Sequence, residues 1–110
     1  MPTFYVTVPR AAADDLAETL IDRRVAACVN RVDCDSMYRW EGEVGTDAEA
    51  ILFCKTSSAT ADAFVETVKS VHPHDVPCIE RFDEADVFAP YASWRDEQVS
   101  GGFAGEDDAT

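Results

Sequence analysis

The stretch that decides the fold is Cys28-Val29-Asn30-Arg31-Val32-Asp33-Cys34-Asp35-Ser36-Met37-Tyr38-Arg39-Trp40, followed by Glu41-Gly42-Glu43 and, a few residues on, Ala48-Glu49-Ala50-Ile51-Leu52-Phe53-Cys54-Lys55-Thr56. With a period of two, Cys28, Asn30, Val32, Cys34, Ser36, Tyr38 and Trp40 fall on one side, and the residues between them on the other. Neither side carries a helical stripe. The spacing therefore predicts one long or bent strand, well above the usual length of about five or six residues. Glu41-Gly42-Glu43 makes a turn, and 48–56 returns as the partner strand. A hairpin of this length outruns one small layer of helices, so its far end is expected to project, and projecting strand arms pair with another subunit.

Working outward, Thr3-Phe4-Tyr5-Val6-Thr7-Val8 is β-branched and aromatic and ends at Pro9, as a first strand does. From Arg10 to Ala27, Ala13, Leu16, Ala17, Leu20 and Ile21 recur at a helical period, with acids early and bases late to suit the helix dipole. A second helix follows the hairpin: Ser57 or Ser58 caps it, Ala61, Phe64, Val65, Val68 and Val71 form its apolar stripe, and Pro73 ends it. Val76–Phe82 reads as a short edge strand and Phe88–Val99 as a terminal helix. The glycine-rich, acidic residues 100–110 read as a flexible tail. The order β-α-β-β-α-β plus a helix is the split βαβ, or ferredoxin-like, α/β (α+β) arrangement, in a single domain over residues 1–99. Both helices should cover one sheet face. The other face, left apolar and bare, is a second reason to expect self-association.

Charge sets limits on partners. The 110 residues hold 22 Asp and Glu against 9 Lys and Arg, a net charge of −13. Such a field repels phosphate backbones and anionic lipids, which argues against nucleic acid and membranes. It also predicts stability that rises with salt, as in a halophilic cytosol. The opening residues Met1-Pro2-Thr3-Phe4 carry no signal-peptide pattern, and a cytoplasmic location is expected. Cys28, Cys34, Cys54 and Cys78 lack CxxC or zinc-finger spacing and read as reduced structural thiols.

At this point five stretches resemble the CutA family, named for divalent-cation tolerance: Ala26-Ala27-Cys28-Val29-Asn30, Tyr38-Arg39-Trp40-Glu41-Gly42, Lys55-Thr56, His72-Pro73 and Tyr91-Ala92-Ser93-Trp94. They fall in family order and spacing over residues 3–98. The resemblance implies a ferredoxin-like subunit, a homotrimer joined through its hairpin arms, a cytoplasmic setting, and an association with copper and other divalent metals. It carries a metal-binding histidine over to His72. The family's strand-one cysteine is replaced by Val6, the tyrosine after the proline by His74, and a common glutamate by Cys78.

Two constellations are candidate sites. His72, His74 and Asp75 offer two imidazoles and a carboxylate suited to copper or another divalent metal ion. The competing reading is a histidine finishing a helix C-terminus. Tyr38, Trp40 and Lys55 offer aromatic walls and one cation, a ligand cleft for an anionic or planar small molecule, against a reading of the rings as interface anchors. No Gly-rich phosphate loop, GxSxG or HExxH is present, so no enzyme is expected. Arg10 and Asn30 are the pair that an acyl-phosphate hydrolase of this fold would use, but Arg10 lacks a glycine-rich cradle. The alternative to a metal binder is a small-molecule-binding signalling trimer, or a scaffold trimer with an unidentified protein partner.

Overall fold

The computed structural model describes residues 2–99. In chain order these form β1 (Pro2–Pro9), α1 (Ala13–Asp22), β2 (Cys28–Trp40), β3 (Glu43–Lys55), α2 (Ala61–Val71), β4 (Ile79–Asp83) and α3 (Ala89–Gln98), with short 3₁₀ turns at Arg10–Ala12 and Ser58–Thr60. The strands make one antiparallel sheet in the order β2-β3-β1-β4. The tail expected at 100–110 lies outside the described residues.

The hydrophobic alternation of β1 decides which face is covered. Phe4, Val6 and Val8 are buried together with Ala50, Leu52 and Cys54 of β3, against Leu16 and Leu20 of α1 and Phe64 and Val68 of α2. The Phe4 and Phe64 rings stack at 4.4 Å across the two layers. Complete burial of a side chain such as Leu20, Leu52 or Phe64 stabilises the fold by roughly 1.5–3 kcal/mol. The opposite face carries Tyr5 edge-on to both Phe53 and Phe82; among the described residues α3 meets it at the Lys55 end, through Tyr91, and Val32 and Phe82 stay about half exposed.

Several boundaries differ from the sequence expectation. The helix after β1 stops at Asp22 rather than Ala27, because Arg24 takes a positive φ of 57° and the Val25 and Ala26 amides both turn back to the Leu20 carbonyl. Ser57 accepts from the Thr60 amide and so caps the 3₁₀ turn that leads into α2. Strand β4 begins at Ile79 instead of Val76, which leaves 72–78 as a loop.

The main difference lies in the hairpin. Glu41 at φ 51° and Gly42 at φ 83° form a two-residue turn with both central residues left-handed, the geometry that matches strand twist. Pairing therefore resumes at once, and β3 starts at Glu43, with Trp40 opposite Glu43 and Tyr38 opposite Gly45. The arm is thus longer on its return strand than the sequence implies, and it brings Asp47 and Glu49 onto the same face as Tyr38.

Candidate functional site

A cleft of about 920 Å³ opens on the bare face, between the arm and the loop 74–78. The arm contributes Ser36, Tyr38, Trp40, Asp47 and Glu49. The loop contributes His74, Asp75, Val76 and Cys78. Tyr5, Thr7 and Glu80 lie on the remaining wall, and Arg39 is the one basic residue of the lining.

Each wall has a local cause. Gly45 lets the Tyr38 ring lie flat across β3: a Cβ added there would meet the ring and its oxygen at 3.3 Å. From that position the Tyr38 hydroxyl donates a short hydrogen bond to Asp47. That bond, then burial and the charges of Asp47 and Glu49, push the Tyr38 phenol above its ordinary pKa. Tyr5 is pushed up as well, first by burial and then by the neighbouring Cys78, Cys34, Glu80 and Glu49.

Glu49 is the least ordinary of these residues. It is only 9% exposed, yet it lines the cleft. Its backbone carbonyl accepts from Arg10 Nε at 3.3 Å, while its carboxylate, without a hydrogen bond or ion pair among the described residues, opens to solvent in the cleft.

The expected site residues are redistributed. His72 is 8% exposed at the end of α2 and faces the fold. Its Nε2 lies 2.8 Å from the Thr7 carbonyl, and its Nδ1 accepts the His74 amide at 3.0 Å. Both ring nitrogens are thus engaged by backbone. His74 and Asp75 do reach the cleft, beside Tyr38 and Trp40, so the two expected constellations partly merge. Lys55 stands apart: its Nζ lies 3.4 Å from Asn30 Oδ1 and 6.0 Å from the centre of the Tyr91 ring. An anionic ligand held by Tyr38, Trp40 and Lys55 together has no common site in one chain. Val6, where the family's cysteine is absent, is fully buried beneath the helices and points away from the cleft.

Among the described residues, no three of the His, Cys, Asp and Glu side chains stand close enough to hold a metal ion. One chain alone therefore does not fit a complete divalent-metal site. Arg10 is held by the Cys34 carbonyl at 2.6 Å and by Asp33 and Asp35, whereas Asn30 faces Phe53 and Lys55 further down the sheet. Sequence reasoning missed Tyr5, Asp47, Glu49 and Glu80 as cleft residues. The signal that finds them is the two-residue turn, since it fixes the β3 register and with it the face of Asp47 and Glu49.

The architecture is that of a ferredoxin-like α+β sandwich with a projecting two-stranded arm and a cleft at the base of the arm. Residues 3–98 match the family model described as CutA1 divalent ion tolerance protein, and the chain belongs to that family. It is 39% identical to the divalent-cation tolerance protein CutA of Thermus thermophilus over 86% of this chain and 93% of the relative. A protein CutA 1 of Oryza sativa is 49% identical over 66% of this chain but only 42% of its own length. The chain likewise spans 61% and 52% of the Xenopus laevis and Mus musculus relatives, about half the length of these longer proteins. Among solved structures, CutA1 from Pyrococcus horikoshii superposes with a TM-score of 0.87 at 34% identity, covering 91% of this chain and 99% of that one. A PII-like protein CutA from Nostoc shares the fold at 22% identity and a TM-score of 0.88, covering 91% of this chain and 98% of that one.

Proposed function

We propose that this chain is a cytoplasmic, homotrimeric, divalent-cation-binding protein, with copper or a similar borderline ion held at the mouth of the cleft by His74 and Asp75. The observation that carries this reading is the donor set of the cleft: Asp47, Glu49, Asp75 and Glu80 with His74 and Cys78, opposed only by Arg39 in the lining. Imidazole, thiol and carboxylate together suit copper or zinc. One chain supplies too few convergent ligands, so the reading requires a second copy to complete the coordination sphere. The bare face around Tyr5, Phe53 and Phe82 and the exposed Trp40 and Val44 on the arm supply the apolar area for such an assembly. Family membership in divalent ion tolerance supports the choice of ion.

A binder is favoured over an enzyme. Arg10 Nε and Nη2 are engaged by carbonyl and carboxylate partners, and Asn30 is separated from Arg10 along β2. The test is copper and zinc titration of the purified protein in concentrated salt, with sedimentation in parallel, comparing wild type with His74→Ala/Asp75→Ala. His72 is left intact because its ring ties α2 to β1. Saturable binding by trimers that the double variant loses is the expected result. Equal, weak binding by both would leave a scaffold trimer whose histidines only finish a helix.

A further inference from the structure

The structure assigns α3 as a strap that opens and closes over one end of the sheet while the rest of the chain stays folded, held shut by the Glu84–Arg95 pair. This goes beyond the metal reading and does not depend on it, because no residue of the cleft takes part.

The pattern of burial in α3 is the reverse of that in the other helices. α1 buries Ala13, Leu16 and Leu20, and α2 buries Ala61, Phe64 and Val68. In α3 the one buried residue is Arg95, whereas Trp94 is 42% exposed and Phe88, which starts the helix, is 77% exposed. Helices are normally fixed to a sheet by apolar area removed from water. Here a charged side chain takes that place, so docking of α3 depends on how well the charge is compensated.

Compensation is incomplete. Arg95 Nη1 lies 3.1 Å from Glu84 Oε2, which also accepts from the Thr3 hydroxyl. Arg95 Nε, Arg95 Nη2 and Glu84 Oε1 are buried with no hydrogen-bond partner among the described residues. These unmet atoms weaken the docked state, because water satisfies each of them once the helix swings out. The other ties are peripheral: the Gln98 carbonyl accepts from the exposed Arg24 Nη1 at 3.0 Å, and Lys55 Nζ stands 6.0 Å from the centre of the Tyr91 ring. Contacts of this kind at the surface contribute little. α3 is the last element of the described chain and is joined to β4 only through 84–88, so it can move without displacing a strand. Opening uncovers Thr3, Lys55 and Cys28, which stand side by side across β1, β3 and β2. Tyr91 is the ring that shields them, and burial, then the adjacent Cys28 thiol, holds its phenol above the ordinary value.

The experiment is native-state amide hydrogen exchange on the full chain in concentrated KCl, comparing α3 with α1 and α2 in wild type, Glu84→Gln and Glu84→Met/Arg95→Met. In wild type, α3 should exchange through an opening about tenfold or more frequent than the one that exposes α1 and α2. Glu84→Gln leaves the guanidinium uncompensated, and α3 exchange should rise about tenfold or more while α1 and α2 remain protected. The double variant replaces the pair by apolar side chains and should return α3 protection to the wild-type level or above. Three results would each overturn the proposal. The first is α3 exchanging together with α1 and α2 in wild type, a comparison that needs no substitution and so decides the matter even if a variant fails to fold. The second is α3 protection unchanged in Glu84→Gln, or lost there only along with that of α1 and α2. The third is a double variant whose α3 is as unprotected as in Glu84→Gln, for then the helix end frays regardless of the buried pair.

Discussion

His72 is tied to Thr7 across the two layers of the fold: its Nε2 lies 2.8 Å from the Thr7 carbonyl while its Nδ1 accepts the His74 amide at 3.0 Å. The ring is therefore the neutral tautomer protonated on Nε2, and it orders the start of the loop that walls the cleft. His72→Ala should leave a part-buried carbonyl and a part-buried amide without these partners and destabilise the protein by about 1–3 kcal/mol. Chemical denaturation measures this. If His72 were instead a free metal ligand, the variant would keep its stability in the absence of metal and lose only metal affinity.

Glu84 and Arg95 give the fold an acid-sensitive joint. Arg95 is 1% exposed in α3, and its Nη1 lies 3.1 Å from Glu84 Oε2, which also accepts from Thr3 Oγ1. Burial works to raise the Glu84 carboxyl pKa, but the hydrogen bonds from Thr3 and Arg95 outweigh it and hold the value below that of an ordinary glutamate. A pKa depressed on folding adds stability above the unfolded value and loses it as pH falls through the folded one. Stability should therefore drop on acidification below the ordinary glutamate range. Glu84→Gln should cost roughly 3 kcal/mol near neutrality, by leaving a buried guanidinium uncompensated, and should flatten the acid limb. An acid limb of unchanged steepness in the variant would count against this joint.

The four thiols should differ in reactivity. Cys54 is fully buried, and burial pushes its thiol up to about 12, whereas Cys28, Cys34 and Cys78 are partly exposed. Since the thiolate is the reacting form, Cys54 should label with iodoacetamide only as fast as the protein unfolds. Mass spectrometry of the labelled native protein reads the order directly. Labelling of Cys54 as early as Cys78 would refute it.

Gly45→Ala probes how the cleft wall is built. The added methyl would press on the Tyr38 ring at 3.3 Å and tilt it away from Asp47. Freed from that hydrogen bond, the Tyr38 phenol should titrate at lower pH than in the parent protein, which ultraviolet absorbance follows. Overall stability should change by less than about 1 kcal/mol, because this part of the arm is outside the core.

Salt should matter more than for a neutral domain. At a net charge of −13 the compact chain repels itself, and so would an assembly of copies. The melting temperature and the associated fraction should both rise between about 0.1 M and 2 M KCl as the screening length shortens. A flat response would remove the halophilic reading.

The element order, the apolar stripes of α1 and α2 and the length of β2 were all legible in residue patterns. These are local properties: a period of two or 3.6 is set by which side of one element must leave water. The helix-facing row Phe4, Val6 and Val8 could be read in the same way. Element ends were less legible, as at Asp22 and Ile79, because they depend on backbone turns such as the left-handed Arg24.

The candidate site divides along the same line. Residue spacing alone placed Tyr38 and Trp40 on one face and a histidine after α2, and the composition made the chain strongly acidic. The packed fold turned His72 inward to Thr7 and His74 outward, and set Lys55 away from the two aromatics. It also decided that Glu49, 25 residues before His74 in the chain, shares a cleft with it. Strand register is the cause. One two-residue turn at Glu41-Gly42 fixes which β3 side chains stand beside β2, and the packing of α2 on β1 fixes where the following loop lies. Neither is encoded in the spacing of the residues that meet there.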